Sequence, residues 1–179
     1  MLTDTQKGAA GEELLAACVT LSSDGELELY KPLSDDDHTD ISAGRRGKVP
    51  ALAIQVKTAL DLNPKGFAVA RMYFSSSTPR EHPAFVYAIV YVVAAVIDVG
   101  WLVPTADFNR LTYRGKGKGG KGIELQFFAS PTRRDKWASF RMPRLELGPR
   151  LLGMVDALPA GRPSKVAGAS LLLDKRTSV

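Results

Sequence analysis

Three polar residues with side chains suited to catalysis or metal binding lie close together in the sequence: Asp40, Gln55 and Lys57. From 51 to 58 apolar residues alternate with others, which is the period of a β-strand with two distinct faces. One face is apolar, whereas the other ends in Gln55 and Lys57, and simple core packing does not call for these two residues. The turn at 43–48 is long enough to fold this strand back beside the one that carries Asp40. An acid, an amide and an amine then meet at one end of a hairpin, and such groups suit a metal ion and a phosphate.

His38 is a further candidate on the strand of Asp40. It lies two residues from Asp40, so the two side chains can share one strand face. A structural hydrogen bond and a catalytic role both stay open for this histidine.

A carboxylate on the first predicted helix is the fourth candidate. Apolar residues recur at helical spacing behind the candidate N-cap residues Thr3, Asp4 and Thr5, which predicts a helix from about 4 to 22. Gly8 and Gly11 each weaken a helix by about 1 kcal/mol relative to alanine, so they indicate close approach by another backbone or a ligand. Glu12 and Glu13 point about 100° apart, so one can face inward while the other is solvated. We take Glu12 as the inward residue; the alternative is a carboxylate on the helix surface.

The rest of the chain predicts mainly strands. Alternation at 26–30 indicates an edge strand, and the apolar runs at 84–93 and 97–103 indicate two neighbouring buried strands. A further strand is predicted at 123–129, and helical pieces at 133–137 and 144–158, interrupted by Pro143 and Pro149. The segment 67–77 stays open between a strand that leads into a short helix and two short strands. Trp101 and Trp137 are expected in the core.

Size and composition fit one globular domain. The chain has 179 residues, of which 45% are hydrophobic and 24% charged, and both values are ordinary for a soluble protein. We expect a domain at 1–158 and a tail at 159–179, whose leucine run is a candidate docking or interface segment. Cys18 is the only cysteine, which excludes an intrachain disulfide and a cysteine-based zinc site and fits the cytoplasm. No secretory signal is found, and the apolar run at 84–97 is shorter than the roughly 20 residues of a spanning helix, so no membrane partner is expected.

The net charge of +5 favours an anionic partner. Two basic clusters could contact nucleic-acid phosphates, with a merely solvated turn or loop as the alternative. The residues of these clusters are Arg45, Arg46 and Lys48 in the first turn, and Lys116, Lys118 and Lys121 in the glycine-rich stretch at 115–122. That stretch contains Gly-x4-Gly-Lys, but Gly122 follows it instead of serine or threonine, which argues against a nucleotide-binding phosphate loop.

Taken together, the motifs resemble those of the PD-(D/E)XK nuclease superfamily, and most of all its restriction-endonuclease-like and Holliday junction resolvase-like branches. The matching segments are Lys7-Gly8-x-x-x-Glu12 on the helix, Thr39-Asp40-Ile41 on one strand and Ile54-Gln55-Val56-Lys57 on the next. Thr39 stands in place of the proline in the motif's name, and Gln55 in place of its second acid. The resemblance covers residues 5–58 closely and the rest of the chain only in general outline.

The resemblance implies an α/β fold with a restriction-endonuclease-like αβββαβ core, in which helices flank a central mixed β-sheet. It implies a metal-dependent endonuclease that hydrolyses DNA phosphodiester bonds with Mg²⁺ or Mn²⁺. In that scheme Asp40, Gln55 and Glu12 bind the metal, while Lys57 orients the attacking water and stabilises developing charge. Enzymes of this type are often homodimers, so DNA and a second copy of the chain are the expected partners.

Two other interpretations stay open. One is a catalytically inactive nucleic-acid-binding module of the same fold, since Gln55 removes one charge from the ligand set. The other is a structural or interaction domain in which Asp40 and Lys57 form a buried ion pair. The nuclease interpretation requires that Glu12, Asp40, Gln55 and Lys57 converge.

Overall fold

The computed structural model describes residues 2–32, 38–48, 52–75, 79–117 and 120–159. In these ranges the chain folds into two β-sheets and three α-helices. The helices are α1 (Asp4–Ser22), α2 (Thr105–Leu111) and α3 (Leu147–Asp156), and a 3₁₀ turn at Arg144–Glu146 leads into α3. The strands are β1 (Leu27–Tyr30), β2 (Ile41–Arg45), β3 (Leu52–Ala59), β4 (Ala68–Phe74), β5 (Phe85–Val93), β6 (Val96–Pro104), β7 (Tyr113–Lys116), β8 (Ile123–Ala129) and β9 (Arg141–Pro143).

The larger sheet has six strands in the order β1-β2-β3-β5-β6-β9. Its pairings are antiparallel except for β3 and β5, which run parallel, so the sheet is mixed. The predicted α/β fold with a central mixed sheet and flanking helices is confirmed. Parallel neighbours need a crossover, and here the chain makes it through β4. The ambiguous segment 67–77 thus contains a strand of the second sheet, where the αβββαβ outline has a helix.

The second sheet is antiparallel, has the order β4-β8-β7 and covers one face of the larger sheet. The core beneath it is rich in aromatic residues. Tyr87, Trp101, Phe108, Phe127 and Trp137 are each no more than 1% exposed, so both tryptophans are core residues as predicted. The opposite face of the larger sheet packs against α1 and α3 through an aliphatic core.

The ends of the helices follow local sequence signals. Thr3 and Gln6 form a reciprocal capping box at the start of α1, which ends at Ser22, so the helix predicted at about 4–22 is confirmed. The predicted helical piece at 133–137 is wrong, since this segment forms bends and turns. The predicted interruption at Pro149 is also wrong, because this proline lies in the first turn of α3, where a backbone N–H has no helical partner. Gly148 lets α3 approach α1, since a Cβ at this position would lie 2.4 Å from the Ser22 hydroxyl oxygen.

None of the helices in the described ranges is long and apolar enough to cross a membrane. The predicted tail at 159–179 lies outside the described residues from position 160 onward.

Candidate active site

Asp40 lies at the point where the pairing between β2 and β3 ends. Its backbone N–H donates to the carbonyl of Ile54 at 3.0 Å, and its carboxylate accepts a hydrogen bond from the backbone N–H of Val56 at 2.6 Å. His38 has a φ of 51°, in the left-handed region, so the chain before Asp40 does not continue as a regular strand. The side chain of Asp40 satisfies a β3 donor that a continued ladder would have used. Because Val56 stands between Gln55 and Lys57, this bond holds the carboxylate within one residue of both.

Gln55 and Lys57 lie on the face of β3 opposite to Ile54 and Val56, as the alternation predicts. Ile54 and Val56 belong to the aliphatic core, whereas the side chain of Gln55 is 8% exposed at the edge of the second sheet. Lys57 is half-buried and forms no hydrogen bond or ion pair within the described ranges. The ammonium of Lys57 is therefore not neutralised by a carboxylate of the described chain, which argues against the buried ion pair with Asp40.

A cleft of about 440 Å³ opens beside Gln55. His38, Arg80, Glu81 and Tyr87 share its walls. Burial raises the pKa of the Tyr87 phenol to about 12, and the nearby Arg80 opposes that rise. The cleft thus presents a neutral phenol, an amide, an imidazole, a carboxyl and a guanidinium around one space.

Arg80, Glu81 and Tyr87 are site residues that the sequence did not single out. Tyr87 stands directly opposite Gln55 in the parallel pairing of β3 and β5, and Arg80 lies 4.8 Å from the centre of the Phe85 ring at the start of β5. The sequence feature that could have indicated them is the start of a long apolar strand just after a Pro-rich segment. A parallel partner for β3 places the first residues of that strand beside Gln55.

Helix α1, which carries Glu12, makes a close contact with β3 at Gly11. A Cβ on Gly11 would overlap the hydroxyl of Thr58 and would lie 2.8 Å from its Cβ, so only glycine permits this approach. The expected close approach is therefore confirmed at Gly11, whereas nothing lies within 4 Å of a Cβ on Gly8. Thr58 shares the face of β3 with Ile54 and Val56, so α1 packs on the face opposite to Gln55 and Lys57. This contact orders α1 against β3 but does not itself bring Glu12 to Gln55 or Lys57.

The carboxylate of Glu12 faces a cation that the sequence did not predict. The Nζ atom of Lys31 lies 3.5 Å from Glu12 Oε2 and 2.5 Å from Glu13 Oε1. The hydrogen bond to Glu13, with a smaller contribution from Glu12, raises the pKa of Lys31, so the ammonium stays charged. Lys31 directly follows β1, and its position next to α1 depends on how the helix crosses the sheet.

The candidate residues offer oxygen donors to a divalent cation. Asp40 and Glu12 provide carboxylate oxygens and Gln55 an amide oxygen, and hard cations such as Mg²⁺ take oxygen ligands of both kinds. In the described part of the chain, no group of three or more His, Cys, Asp or Glu side chains could hold a metal ion. The residues present therefore fit such a cation only with the amide of Gln55 counted among the ligands.

The two predicted basic clusters differ in position. The turn with Arg46 and Lys48 follows the end of β2 that is remote from Asp40, about 17 Å away along the strand. Arg45 is engaged by two carboxylates, Glu26 at 2.7 Å and Asp156 at 2.8 Å, and so ties β2 to α3.

The second basic cluster lies near the cleft. Lys116 pairs with Ile123 in β8, and Ile123 pairs with Phe74, which lines the cleft beside Gln55. Lys121 is exposed in the same hairpin, and Lys118 lies outside the described residues. The geometry thus places this hairpin, rather than the turn after β2, at the end of the molecule where Gln55 lies.

A solved structure shares this fold. The chain is similar to a bacterial homing endonuclease, I-Ssp6803I, with a TM-score of 0.54 over 87% of this chain and 94% of that chain. The two sequences are 15% identical, so the likeness concerns the fold. No model of a known protein family matches the chain, and no curated protein sequence matches it either.

Proposed function

We propose that this protein is a metal-dependent endonuclease that hydrolyses phosphodiester bonds of DNA. The observation that carries the proposal is the 2.6 Å hydrogen bond from the Val56 N–H to the Asp40 carboxylate. It holds an acid at the backbone of β3 between Gln55 and Lys57, which supports a site for phosphodiester hydrolysis. The fold shared with a protein named as an endonuclease supports the same conclusion.

Asp40, Gln55 and Glu12 would hold a Mg²⁺ or Mn²⁺ ion. When bound, such an ion lowers the pKa of a coordinated water and offsets the charge of the phosphate. Asp40 is the best-positioned ligand, because its bond to the β3 backbone fixes the carboxylate before any ion arrives. Glu12 would exchange its contact with Lys31 for the ion or for a water bound to it.

Lys57 would orient the attacking water and stabilise the negative charge that develops on the phosphate. An ammonium without a carboxylate partner in the described chain is suited to this task, because its charge remains available to the substrate. The exposed Lys116 and Lys121 would contact the DNA backbone next to the cleft.

The second candidate function is DNA binding without cleavage. It is favoured by Gln55 in the place of an acid and by the lack of a three-acid cluster in the described ranges. One ligand charge fewer weakens metal binding, and such a module would retain its basic hairpin while turning over no substrate.

We also propose that the protein acts as a homodimer, since cleavage of both DNA strands asks for two active sites. An apolar groove between α1 and β6 supports this, because its lining side chains Leu21, Leu145 and Val96 are 78%, 69% and 46% exposed. Sedimentation analysis should give a dimer for the native chain and for Leu2→Glu, and a monomer for Leu21→Glu. A native monomer would exclude this assembly.

The nuclease proposal is tested by nicking of supercoiled plasmid with Mg²⁺ or Mn²⁺, with EDTA as the blank. We expect relaxed circles with the native chain, and loss of the activity in Asp40→Ala and in Lys57→Ala. Cleavage that survives both substitutions would exclude this site. Salt-sensitive DNA binding with no nicking in either metal would establish the binding module instead.

A further inference from the structure

A second cavity lies at the far end of the three-stranded sheet from the Gln55 cleft. Its volume is about 640 Å³. The residues that matter for its chemistry are Asn63, Lys65, Phe67, Tyr113, Phe128 and Lys136. This pocket belongs to none of the features used for the proposed hydrolysis.

One wall of the pocket is an aromatic surface. Tyr113 is 60% exposed, and the edge of its ring meets Phe128 with 6.1 Å between ring centroids. The large aromatic residues of the neighbouring core behave differently, because Trp101 and Trp137 are fully buried. An exposed ring that is fixed by a second ring and lines a concave pocket is suited to stacking with another planar ring.

The rim of the pocket is positively charged. The Nζ atom of Lys136 lies 3.9 Å from the centroid of the Tyr113 ring, and Lys65 is exposed beside it. A guanidinium nitrogen of Arg133 lies 3.9 Å from the Cβ position of Gly66, which stands between two lining residues. Asp135 also lines the pocket, but its two oxygens accept backbone N–H bonds from Ser130 at 2.7 Å and Trp137 at 2.9 Å. Three cations therefore face one carboxylate that is already engaged.

We infer that this pocket binds one unpaired nucleotide of a DNA strand, with the base on the Tyr113 ring and the phosphate at Lys65 and Lys136. An aromatic wall selects a planar ring, a cationic rim selects an anion, and a nucleotide carries both. The inference rests on the proposed function for the choice of DNA as the polymer. It adds a preference for substrates in which duplex and single strand meet.

Lys136 now occupies the face of Tyr113, and a base can take its place. An exposed ammonium gains less on a tyrosine ring than a stacked base does. The displaced ammonium then pairs with the phosphate of the same nucleotide. The exchange replaces its contact with the Tyr113 ring, and a more distant one with the Trp137 ring at 5.5 Å, by a stacked base and a phosphate contact. Lys136 is exposed and forms no ion pair in the described ranges that would oppose this movement.

The register of the sheet relates the pocket to the cleft. Tyr113 pairs with Gln126 and Gln126 with Arg71, three residues before Phe74, which lines the cleft beside Gln55. This separation is about 10 Å along the strands and about 10 Å across them. A nucleotide on Tyr113 is thus distinct from a nucleotide whose phosphate lies at Asp40, and both can belong to one strand of DNA.

The first test is DNA binding in EDTA, measured by fluorescence anisotropy with a duplex that carries a 3′ or 5′ single-stranded extension. We expect Tyr113→Ala to weaken binding of the extended duplex by about 5- to 150-fold, and Tyr113→Phe to leave it nearly unchanged. Tyr73→Ala is the matched control, because Tyr73 is 50% exposed on the same sheet but does not line the pocket. Equal effects of Tyr113→Ala and Tyr73→Ala would overturn the inference.

Two further experiments identify the ligand. Photocrosslinking with 5-iodouracil in the extension should attach the strand at Tyr113 or Phe128, and attachment only elsewhere would contradict the assignment. Free dTMP that competes as well as the extended duplex would show a mononucleotide site and overturn the choice of DNA.

The two proposals fail separately. If the protein nicks plasmid but Tyr113→Ala binds the extended duplex as well as the native chain does, only the pocket proposal is refuted. If binding depends on Tyr113 but no nicking occurs, only the nuclease proposal is refuted.

Discussion

Asp40 and Glu12 are both candidate metal ligands, but the chain holds their carboxylates in different ways. Asp40 accepts a 2.6 Å bond from the backbone of β3, whereas Glu12 faces the ammonium of Lys31 at 3.5 Å on a partly exposed surface. The sheet fixes the contact of Asp40, whereas solvent competes with the contact between Glu12 and Lys31. The strand half of the site is therefore preorganised, while the helix half can rearrange when a ligand arrives.

Asp40 gives the largest expected effect. Asp40→Asn keeps an oxygen for the Val56 N–H but loses the charge, so we expect near-native stability and nicking reduced by about 100-fold or more. Asp40→Ala also leaves the Val56 N–H without its acceptor, and should cost about 1–3 kcal/mol in the free energy of unfolding. Urea titration and plasmid nicking separate the two roles. Native activity in Asp40→Asn would show that the contact is structural only.

Gly11 tests how the helix half is positioned. A Cβ at this position would overlap the Thr58 hydroxyl, so Gly11→Ala should destabilise the fold by about 1–3 kcal/mol despite the better helix propensity of alanine. Gly8→Ala is the matched control in the same helix. It has open space around it and should stabilise the protein by up to about 1 kcal/mol. Similar shifts in the two urea midpoints would refute the close contact.

Substitution of Gln55 tests how strongly the strand residues bind a metal ion. Gln55→Glu restores a charged oxygen beside Asp40, and we expect it to tighten Mn²⁺ binding by about tenfold, as one added ligand charge favours a divalent cation. Isothermal titration calorimetry measures the change, with Asp40→Asn as the variant that should bind weakly. Unchanged or weaker affinity in Gln55→Glu would count against Gln55 as a ligand.

Lys31 gives the smallest expected effect. Because its side chain is 45% exposed, Lys31→Ala should change the free energy of unfolding by less than about 1 kcal/mol. It should also free Glu12 and leave metal binding equal to or slightly tighter than that of the native chain. Marked unfolding in this variant would mean that the ion pair, rather than the Gly11 contact, positions the helix.

The sequence predicted those parts of this site that depend on local periodicity. Helix α1 and the alternation that puts Gln55 and Lys57 on one face of β3 follow from spacing alone. The bond between Asp40 and the Val56 N–H could not be predicted, because it depends on where the β2–β3 pairing stops. The neighbours Lys31 and Tyr87 depend on how α1 crosses the sheet and on the parallel pairing of β3 with β5. These contacts join residues that are distant in sequence, so local sequence patterns do not predict them.

The fold, too, could be predicted only where it depends on local sequence patterns. The aliphatic and aromatic cores follow from hydrophobic patterning, but segment 67–77 was ambiguous because a short apolar run fits either a strand or a helix. Its place in the second sheet is decided by β8, more than forty residues later in the chain.

The most direct test of the account is a crystal structure of the native chain soaked in Mn²⁺, with the ion located by its anomalous scattering. We predict an anomalous peak bound by Asp40 and the amide oxygen of Gln55, with Glu12 turned from Lys31 toward the ion or its water. A Mn²⁺ ion that binds elsewhere, with Asp40 bonded only to Val56, would contradict the nuclease site.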